Sequence, residues 1–245
     1  MTDRQGDRRS ALVFGARNLG RAVIEALIEE GWTIAGAARS DATLEGIAAA
    51  GALALRADVT SQASVREVME QAGAAHGGVD LVLNAASAYG GTRSGPFGGG
   101  PITEAEEGAF DSWAIAPVRS AFAFLSGAGG YLAAQGRGAT MIQVTGGSSR
   151  RAMPGRGLWA AGAFGVRAVT QAAALELRPL GIHVALLIVD AGIEPLRGPP
   201  RPGVARETMA DPREITDAVR FLAAQGARAA THELLLTPLA ETWVP

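Results

Sequence analysis

The segment that decides the fold runs Ala11-Leu12-Val13-Phe14-Gly15-Ala16-Arg17-Asn18-Leu19-Gly20. Its first four residues form an apolar, strand-like run, and Gly15 closes that run with a turn. From Leu19 to Glu30 the apolar residues recur at helical spacing, and Gly31 stands where a helix would end. A tight glycine turn between a strand and a helix presents free N–H groups and the positive end of the helix dipole, which favours a phosphate. The motif is common, so its meaning depends on its surroundings.

The rest of the chain continues this alternation of strands and helices. Further strands are predicted at Thr33–Ala37, Leu53–Arg56, Leu81–Leu83, Thr140–Val144, His183–Val189 and Glu233–Leu236. Helices are predicted at Leu44–Ala50, from the Ser61 cap to Ala75, at Glu104–Leu132 with an interruption at Pro117, at Leu158–Leu177, and at Pro212–Ala224 with Asp211 as cap. Glycine-rich and proline-rich loops are predicted at Gly90–Pro101 and Arg197–Gly203.

This order predicts an α/β fold with one doubly wound, Rossmann-type domain. The alternation favours parallel pairing, right-handed crossovers and helices on both faces of a sheet of about seven strands. No linker divides the chain, so residues 11–245 are expected to form one domain after a flexible N-terminus of residues 1–10. Ligands of such sheets bind at the carboxyl ends of the strands, so the residues after each strand are the candidates for a site.

Composition narrows the chemistry. The 245-residue chain has no cysteine, which excludes thiolate catalysis and zinc–sulfur sites. It has no lysine either, so a Schiff base or a lysine general base is excluded. The net charge of −2 gives no reason to expect nucleic acid or an acidic membrane as partner. With no apolar run of membrane-spanning length, we expect a cytoplasmic protein. We also expect its partner to be a small molecule.

Several segments in order resemble the short-chain dehydrogenase/reductase family. Leu12–Arg17 with Gly20–Val23 is similar to the family's opening, and Asp58-Val59 stands where the family has an Asp-Val pair beside the adenine. Asn84-Ala85-Ala86-Ser87 corresponds to the family's Asn-Asn-Ala-Gly. Glu176-Leu177, followed by Gly181-Ile182-His183-Val184, is similar to the end of the family's long helix and its sixth strand. The resemblance covers about Leu12 to Val189.

The resemblance implies a dinucleotide site. Its expected residues are Gly15, Arg17, Asn18, Leu19, Gly20, Arg39, Ser40, Asp58, Val59, Asn84, Ala85 and Ala86. The glycine loop is one residue shorter than the family's, and Asn18 stands near the middle glycine, where an asparagine tolerates positive φ better than most residues. An acidic residue after the second strand would bind the ribose of NAD, whereas Arg39 suits a 2′-phosphate and Arg17 is near enough to assist. We therefore expect NADP(H) over NAD(H), against the alternative that Arg39 is an ordinary solvated arginine.

At the catalytic end the resemblance implies an Asn, Ser, Tyr and Lys set, and this chain lacks all four. The corresponding positions are Pro117, Gly146, Trp159 and Ala163. Indole donates a hydrogen bond but no proton near neutral pH, and Pro117 should distort its helix. Arg167 lies one helical turn after Ala163 and is a partial substitute for the cation. Candidate substitutes for the lost donors are Tyr89, Thr145 and Ser148, with Ser87, Ser149, Asp190 and Glu194 on the same rim.

The other aromatic and histidine residues have structural interpretations. Trp113 and Trp159 are expected to fill part of the pocket, and Tyr131 precedes the fifth strand and so lies at the wrong end of the sheet. The scattered positions of His76, His183 and His232 argue against a metal site or a catalytic triad.

Three functions remain open from the sequence. The first is a pseudoenzyme that binds NADP(H) or another ligand and is inactive or strongly atypical as a carbonyl reductase. The second is an atypical NADP(H)-dependent oxidoreductase with a relocated acid, with Tyr89 as first candidate. The third is a non-redox dehydratase, cyclase or isomerase in the same pocket. For all three the resemblance implies a homodimer or tetramer through the helices around 104–132 and 158–177.

Overall fold

The structure, a computed structural model, describes residues 8–86, 95–199 and 202–241. Its strands are β1 (Ser10–Phe14), β2 (Thr33–Ala38), β3 (Leu53–Arg56), β4 (Leu81–Asn84), β5 (Ala139–Gly146), β6 (Ile182–Val189), β7 (Gly192–Ile193), β8 (Met209–Ala210) and β9 (Glu233–Leu236). Its α-helices are α1 (Leu19–Glu29), α2 (Asp41–Ala49), α3 (Gln62–His76), α4 (Glu107–Phe110), α5 (Ala116–Gln135), α6 (Gly157–Leu177) and α7 (Pro212–Ala223).

Seven of the strands form one parallel sheet in the order β3-β2-β1-β4-β5-β6-β9. Alternate residues of β1 enter opposite cores: Ala11 and Val13 pack with α1 and α7, whereas Leu12 and Phe14 pack with α3 and α5. The Phe14 and Phe124 rings meet edge to face with centroids 5.7 Å apart, and both are fully buried. This confirms the predicted doubly wound sheet with helices on both faces.

The chain reverses its direction across the sheet at β1, because β2 lies on one side of it and β4 on the other. This is the switch point at which open α/β sheets bind their ligands. The turns after β1, β2, β3 and β4 therefore share one edge, with the ends of β5 and β6 beside them.

Element boundaries differ from the prediction at a few places with clear causes. The helix expected to break at Pro117 is distorted just before it, in a π-helical turn at Asp111–Ile115, because proline has no N–H for a regular helical bond. The short strands β7 and β8 were not predicted, since a two-residue ladder leaves no periodic pattern. The predicted caps are confirmed: the side chains of Ser61 and Asp211 accept bonds from Ser64 N and Arg213 N.

Helices α5 and α6, the longest in the structure, are rich in glycine and alanine. None of the helices in the described ranges combines the length and the apolar character that crossing a membrane requires.

Candidate active site

The turn after β1 is shaped by Gly15. Its φ of +83° lies in the left-handed region, and a Cβ atom there would come within 2.5 Å of Ala86 Cα. Gly20 fits for a related reason, since a Cβ there would lie 2.7 Å from the Gly15 carbonyl oxygen. The two glycines let β1, the start of α1 and the turn after β4 meet closely, and this glycine turn is the cradle at which the sequence predicts a dinucleotide phosphate.

Asn18 departs from expectation. Its φ is −125°, and no non-glycine residue of the described ranges has positive φ, so the shortened turn closes without a left-handed asparagine. The Asn18 side chain does not cap α1 either. It reaches across the edge of the sheet to the segment after β7, where its amide bonds to Glu194 and Leu196.

The turn after β2 carries the predicted positive charge. Arg17 and Arg39 are both exposed, and neither guanidinium pairs with an acidic side chain in the described part of the molecule. Ser40 is the N-terminal flanking residue of α2, and its hydroxyl lies 2.8 Å from that of Thr43. Arg56, at the end of β3, was missed; it donates to the Arg39 carbonyl and pairs with Asp41. The only signal was its place as the last residue of a strand.

Asp58 follows β3 and is half-buried, while Val59 is buried. Its Oδ1 accepts bonds from Thr60 N at 2.9 Å and Thr60 Oγ1 at 2.7 Å. Burial acts to raise the pKa of the carboxyl, but the Thr60 bonds and the positive charge of Arg39 outweigh it and hold the pKa below its usual value. Asp58 is thus an ionised acceptor at neutral pH beside the Arg39 turn.

Asn84 is 1% exposed and both ends of its amide are engaged inside the protein. Nδ2 donates to Gln143 Oε1 at 2.9 Å, and Oδ1 accepts from Ala86 N at 3.1 Å. Asn84 therefore shapes the Ala85-Ala86 turn under the glycine cradle rather than projecting from it. Its partner Gln143, also buried, was not singled out in the sequence because one polar residue in a strand carries no pattern.

The catalytic corner lies at the ends of β5 and α6. A Cβ at Gly146 would lie 3.7 Å from Trp159 Cζ2, so the two positions expected to correspond to the family's Ser and Tyr are neighbours. Ala163, one turn further along α6, is buried. None of Gly146, Trp159 and Ala163 offers a proton donor or a cation of the family's kind.

Three aromatic rings form a cluster in this corner, with each pair tilted or edge to face. Trp113 from the π-helical turn is 5.4 Å from Trp159 between ring centroids, so the two tryptophans pack together. Phe97 from the glycine-rich loop lies 5.0 Å from Trp113 and 4.6 Å from Trp159, and about half of it is exposed. The corner thus presents aromatic rings where the family pattern has hydrogen-bonding side chains. Phe97 was missed because its loop has no readable motif.

The predicted role of Arg167 is wrong. Its guanidinium forms two bonds with Glu233 on β9, Nε to Oε1 at 2.7 Å and Nη2 to Oε2 at 2.9 Å, so it does not replace the missing lysine. Gln171 and Arg150 also contact this carboxylate. Burial acts to raise the pKa of Glu233, but the bonds from Arg167 and Gln171 prevail and lower it.

Two of the remaining candidate residues at this edge of the sheet already contact neighbouring residues. Asp190 packs against Gly147 and lies 3.3 Å from Arg151 Nη2, and Glu194 pairs with Arg206 at 2.8 Å. Thr145 and Ser148 are half-buried beside Gly146, at the edge that carries the cradle. Tyr89 and Ser87 lie outside the described residues.

Tyr131 and the histidines lie away from this edge. Tyr131 on α5 packs over Gly73 of α3, and burial raises the pKa of its phenol, in keeping with a structural role. His183 and His232 are less scattered than the sequence indicated, since their rings are 6.1 Å apart at the opposite end of the sheet. In the described ranges no third His, Asp or Glu joins them in a group that would hold a metal ion.

Comparison with known proteins decides the family. The family model described as short chain dehydrogenase matches residues 9–192. The chain belongs to the short-chain dehydrogenase/reductase family of oxidoreductases. A short-chain dehydrogenase/reductase from Armillaria gallica is 31% identical over 186 residues, which are 72% of this chain and 68% of the relative.

Two solved structures show the same NAD(P)-binding fold. An alcohol dehydrogenase from the archaeon Thermococcus sibiricus, complexed with 5-hydroxy-NADP, has a TM-score of 0.78 at 24% identity and covers 98% of this chain and 100% of its own. A metagenomic short-chain oxidoreductase in complex with NADP has a TM-score of 0.72 at 22% identity, with 96% and 99% coverage.

Proposed function

We propose that this protein binds NADP(H) and lacks the hydride-transfer chemistry of its family, so that it is inactive or strongly atypical as a carbonyl reductase. The observation that carries the proposal is that the glycine turn at Gly15 and Gly20 is retained, while the expected catalytic positions are occupied by Gly146, Trp159 and Ala163. The relatives crystallised with NADP and 5-hydroxy-NADP support the first half of it.

The residues around the cradle fit the two ends of the cofactor. The first N–H groups of α1 would hold the pyrophosphate, since no side chain caps that helix. Arg39 and Arg17, both exposed and without a salt bridge among the described residues, would bind the 2′-phosphate, and Asp58 with Val59 would border the adenine. When bound, NADPH supplies a hydride.

The chain's own residues cannot complete a carbonyl reduction in the family's way. A ketone that receives a hydride needs a proton on its oxygen, and Trp159 and Gly146 supply neither a proton nor a polarising hydroxyl. Losing one positioned general acid costs about 10²–10⁴ in rate, and here the supporting cation at Ala163 is lost as well. The aromatic cluster is better suited to binding a ligand than to converting it chemically.

Turnover assays test this proposal. We expect no NADPH oxidation above background with a panel of aldehydes and ketones for the wild-type protein. The combined variant Gly146→Ser, Trp159→Tyr and Ala163→Lys should gain measurable carbonyl reduction, since a Cβ at Gly146 has room beside Trp159. Wild-type turnover that is lost in Tyr89→Phe would overturn the proposal in favour of a relocated acid. Conversion of a substrate without nicotinamide would instead support a non-redox catalyst.

A further inference from the structure

The segment that follows β7 is held against the glycine turn by a single side chain. Asn18 Nδ2 donates to the Glu194 carbonyl oxygen at 3.0 Å, and Leu196 N donates to Asn18 Oδ1 at 2.7 Å. Both bonds are partly buried, and Asn18 lies some 176 residues away from its partners in sequence. One carboxamide thus joins the first turn of the fold to the segment after the sixth strand of the sheet.

These bonds are specific to a carboxamide. The Asn18 amide faces the C=O of one residue and the N–H of the second residue after it, as a neighbouring peptide group in a sheet would. An aspartate would keep the acceptor but lose the donor to Glu194, and alanine or glycine would lose both. Asn18 flanks α1 without capping it, so the side chain is committed to the segment rather than to its own helix.

Other tethers of the segment are weaker. Arg206 pairs with Glu194 at 2.8 Å and Arg197 pairs with Glu25 at 2.6 Å, but both arginine side chains are 71% exposed. Exposed ion pairs contribute little to stability because solvent screens them. Glu194 N also donates to the Ala210 carbonyl oxygen at 2.9 Å, which joins the segment to β8. The Asn18 bonds are therefore the hydrogen bonds that join this segment to the glycine turn before α1.

We propose that Asn18 is a positioning residue that latches the segment after β7, residues 194–197, across the glycine turn where the phosphate would bind. The dinucleotide reaches and leaves the first turn of α1 only when the two Asn18 bonds open. This rests on the proposed NADP(H) binding for its purpose, whereas the latch itself exists in the protein without cofactor. Asn18 thereby sets how fast cofactor exchanges rather than contacting the reacting atoms.

Amide hydrogen exchange on the cofactor-free protein tests the latch directly. In Asn18→Ala the peptide that contains Leu196 should exchange roughly tenfold faster, since two partly buried hydrogen bonds are lost. Asn18→Asp, which serves equally well at the start of a helix, keeps the acceptor for Leu196 N and loses only the bond to Glu194, so it should raise exchange less than Asn18→Ala. Arg197→Gln is the control in the same segment and should leave exchange unchanged. Equal exchange in wild type and both Asn18 variants would overturn the latch.

Stopped-flow binding of NADPH tests the gating. Removal of a gate raises the association and dissociation rate constants together, whereas damage to a binding contact raises dissociation alone. We expect both constants to rise by roughly tenfold in Asn18→Ala with a smaller change in Kd. A rise confined to dissociation would overturn the gating role. If the wild-type protein does not bind NADPH, the proposed function fails, and the exchange result still decides whether Asn18 latches the segment.

Discussion

At the scale of single residues, the close contact between Gly15 and Ala86 joins the cofactor cradle to the core. Gly15 and Gly31 share a φ of +83°, but a side chain at Gly31 meets nothing within 4 Å, whereas one at Gly15 meets the backbone of Ala85 and Ala86. Substitutions at the two positions therefore separate the cost of a left-handed backbone conformation from the cost of a steric clash.

We expect Gly31→Ala to lower the free energy of unfolding by about 1 kcal/mol, the strain of a left-handed alanine. Gly15→Ala should cost about 1–3 kcal/mol more, because the backbone of Ala86 must move to admit a methyl group. Urea unfolding of both variants measures the difference. Equal losses would show that the contact with Ala86 is not a tight one.

The role of a single residue could be predicted from the sequence where its residue type usually has one structural role. Glycine at a turn and Ser61 or Asp211 before a helix have local causes, so their roles could be predicted without tertiary contacts. The partners of Asn18, Asn84 and Arg167 could not, because each lies on a distant segment. The φ of −125° at Asn18 could not be predicted either, because the sequence indicated only that an asparagine there tolerates positive φ.

At the scale of elements, α6 packs against the π-helical turn through Gly162. A Cβ at Gly162 would clash with the Trp113 carbonyl oxygen and come within 3.2 Å of Ala114 O. The aromatic cluster therefore depends on a helix pair that approaches too closely for a side chain. Strand and helix positions were predictable from hydrophobic period, but this close crossing and the π turn before Pro117 were not.

Gly162→Ala should lower the free energy of unfolding by about 1–3 kcal/mol through overpacking. Gly130→Ala is the matched control, since Gly130 lies in α5 with nothing within 4 Å of a built Cβ. That variant should gain about 0.5–1 kcal/mol from the better helix propensity of alanine. Thermal unfolding followed by circular dichroism measures both, and a stabilised Gly162→Ala would contradict the packing described.

The Glu233 carboxylate joins α6 to β9, so the stability of this junction depends on pH. Because the folded-state pKa of Glu233 is lowered, its contribution is present above the unfolded pKa and is lost as pH falls through the folded one. Glu233→Gln should cost about 1 kcal/mol at pH 7, and the gap to wild type should close at low pH, below the usual carboxyl range. Urea unfolding at several pH values measures that gap. A gap that is the same at neutral and at low pH would exclude the ion pair as its cause.

At the scale of the whole molecule, α5 and α6 carry apolar side chains that this chain alone leaves uncovered. Phe122 is 56% exposed, Phe164 43% and Leu175 64%. Single exposed apolar residues are ordinary, but several on two adjacent helices are consistent with the expected subunit interface. The family resemblance implied an interface through the same two helices.

We expect sedimentation velocity at micromolar concentration to show a homodimer or tetramer. The paired variant Phe122→Glu and Phe164→Glu should dissociate it, because carboxylates in an apolar interface would be buried without partners. Val204→Glu, also at an exposed apolar residue but outside these helices, should leave the assembly intact. A wild-type monomer at these concentrations would contradict the expectation.

The central claim, a retained NADP(H) site beside a lost catalytic set, is tested most directly by calorimetric titration of NADPH and NADH into wild-type protein and Arg39→Ala. We predict micromolar binding of NADPH by the wild-type protein, weaker binding of NADH, and a loss of about 10- to 100-fold for NADPH alone in Arg39→Ala, since a charge-assisted bond to the 2′-phosphate is removed. Arg66→Ala, which changes an exposed arginine on α3, should match wild type. No binding of either nucleotide, or equal loss for both in Arg39→Ala, would contradict the account.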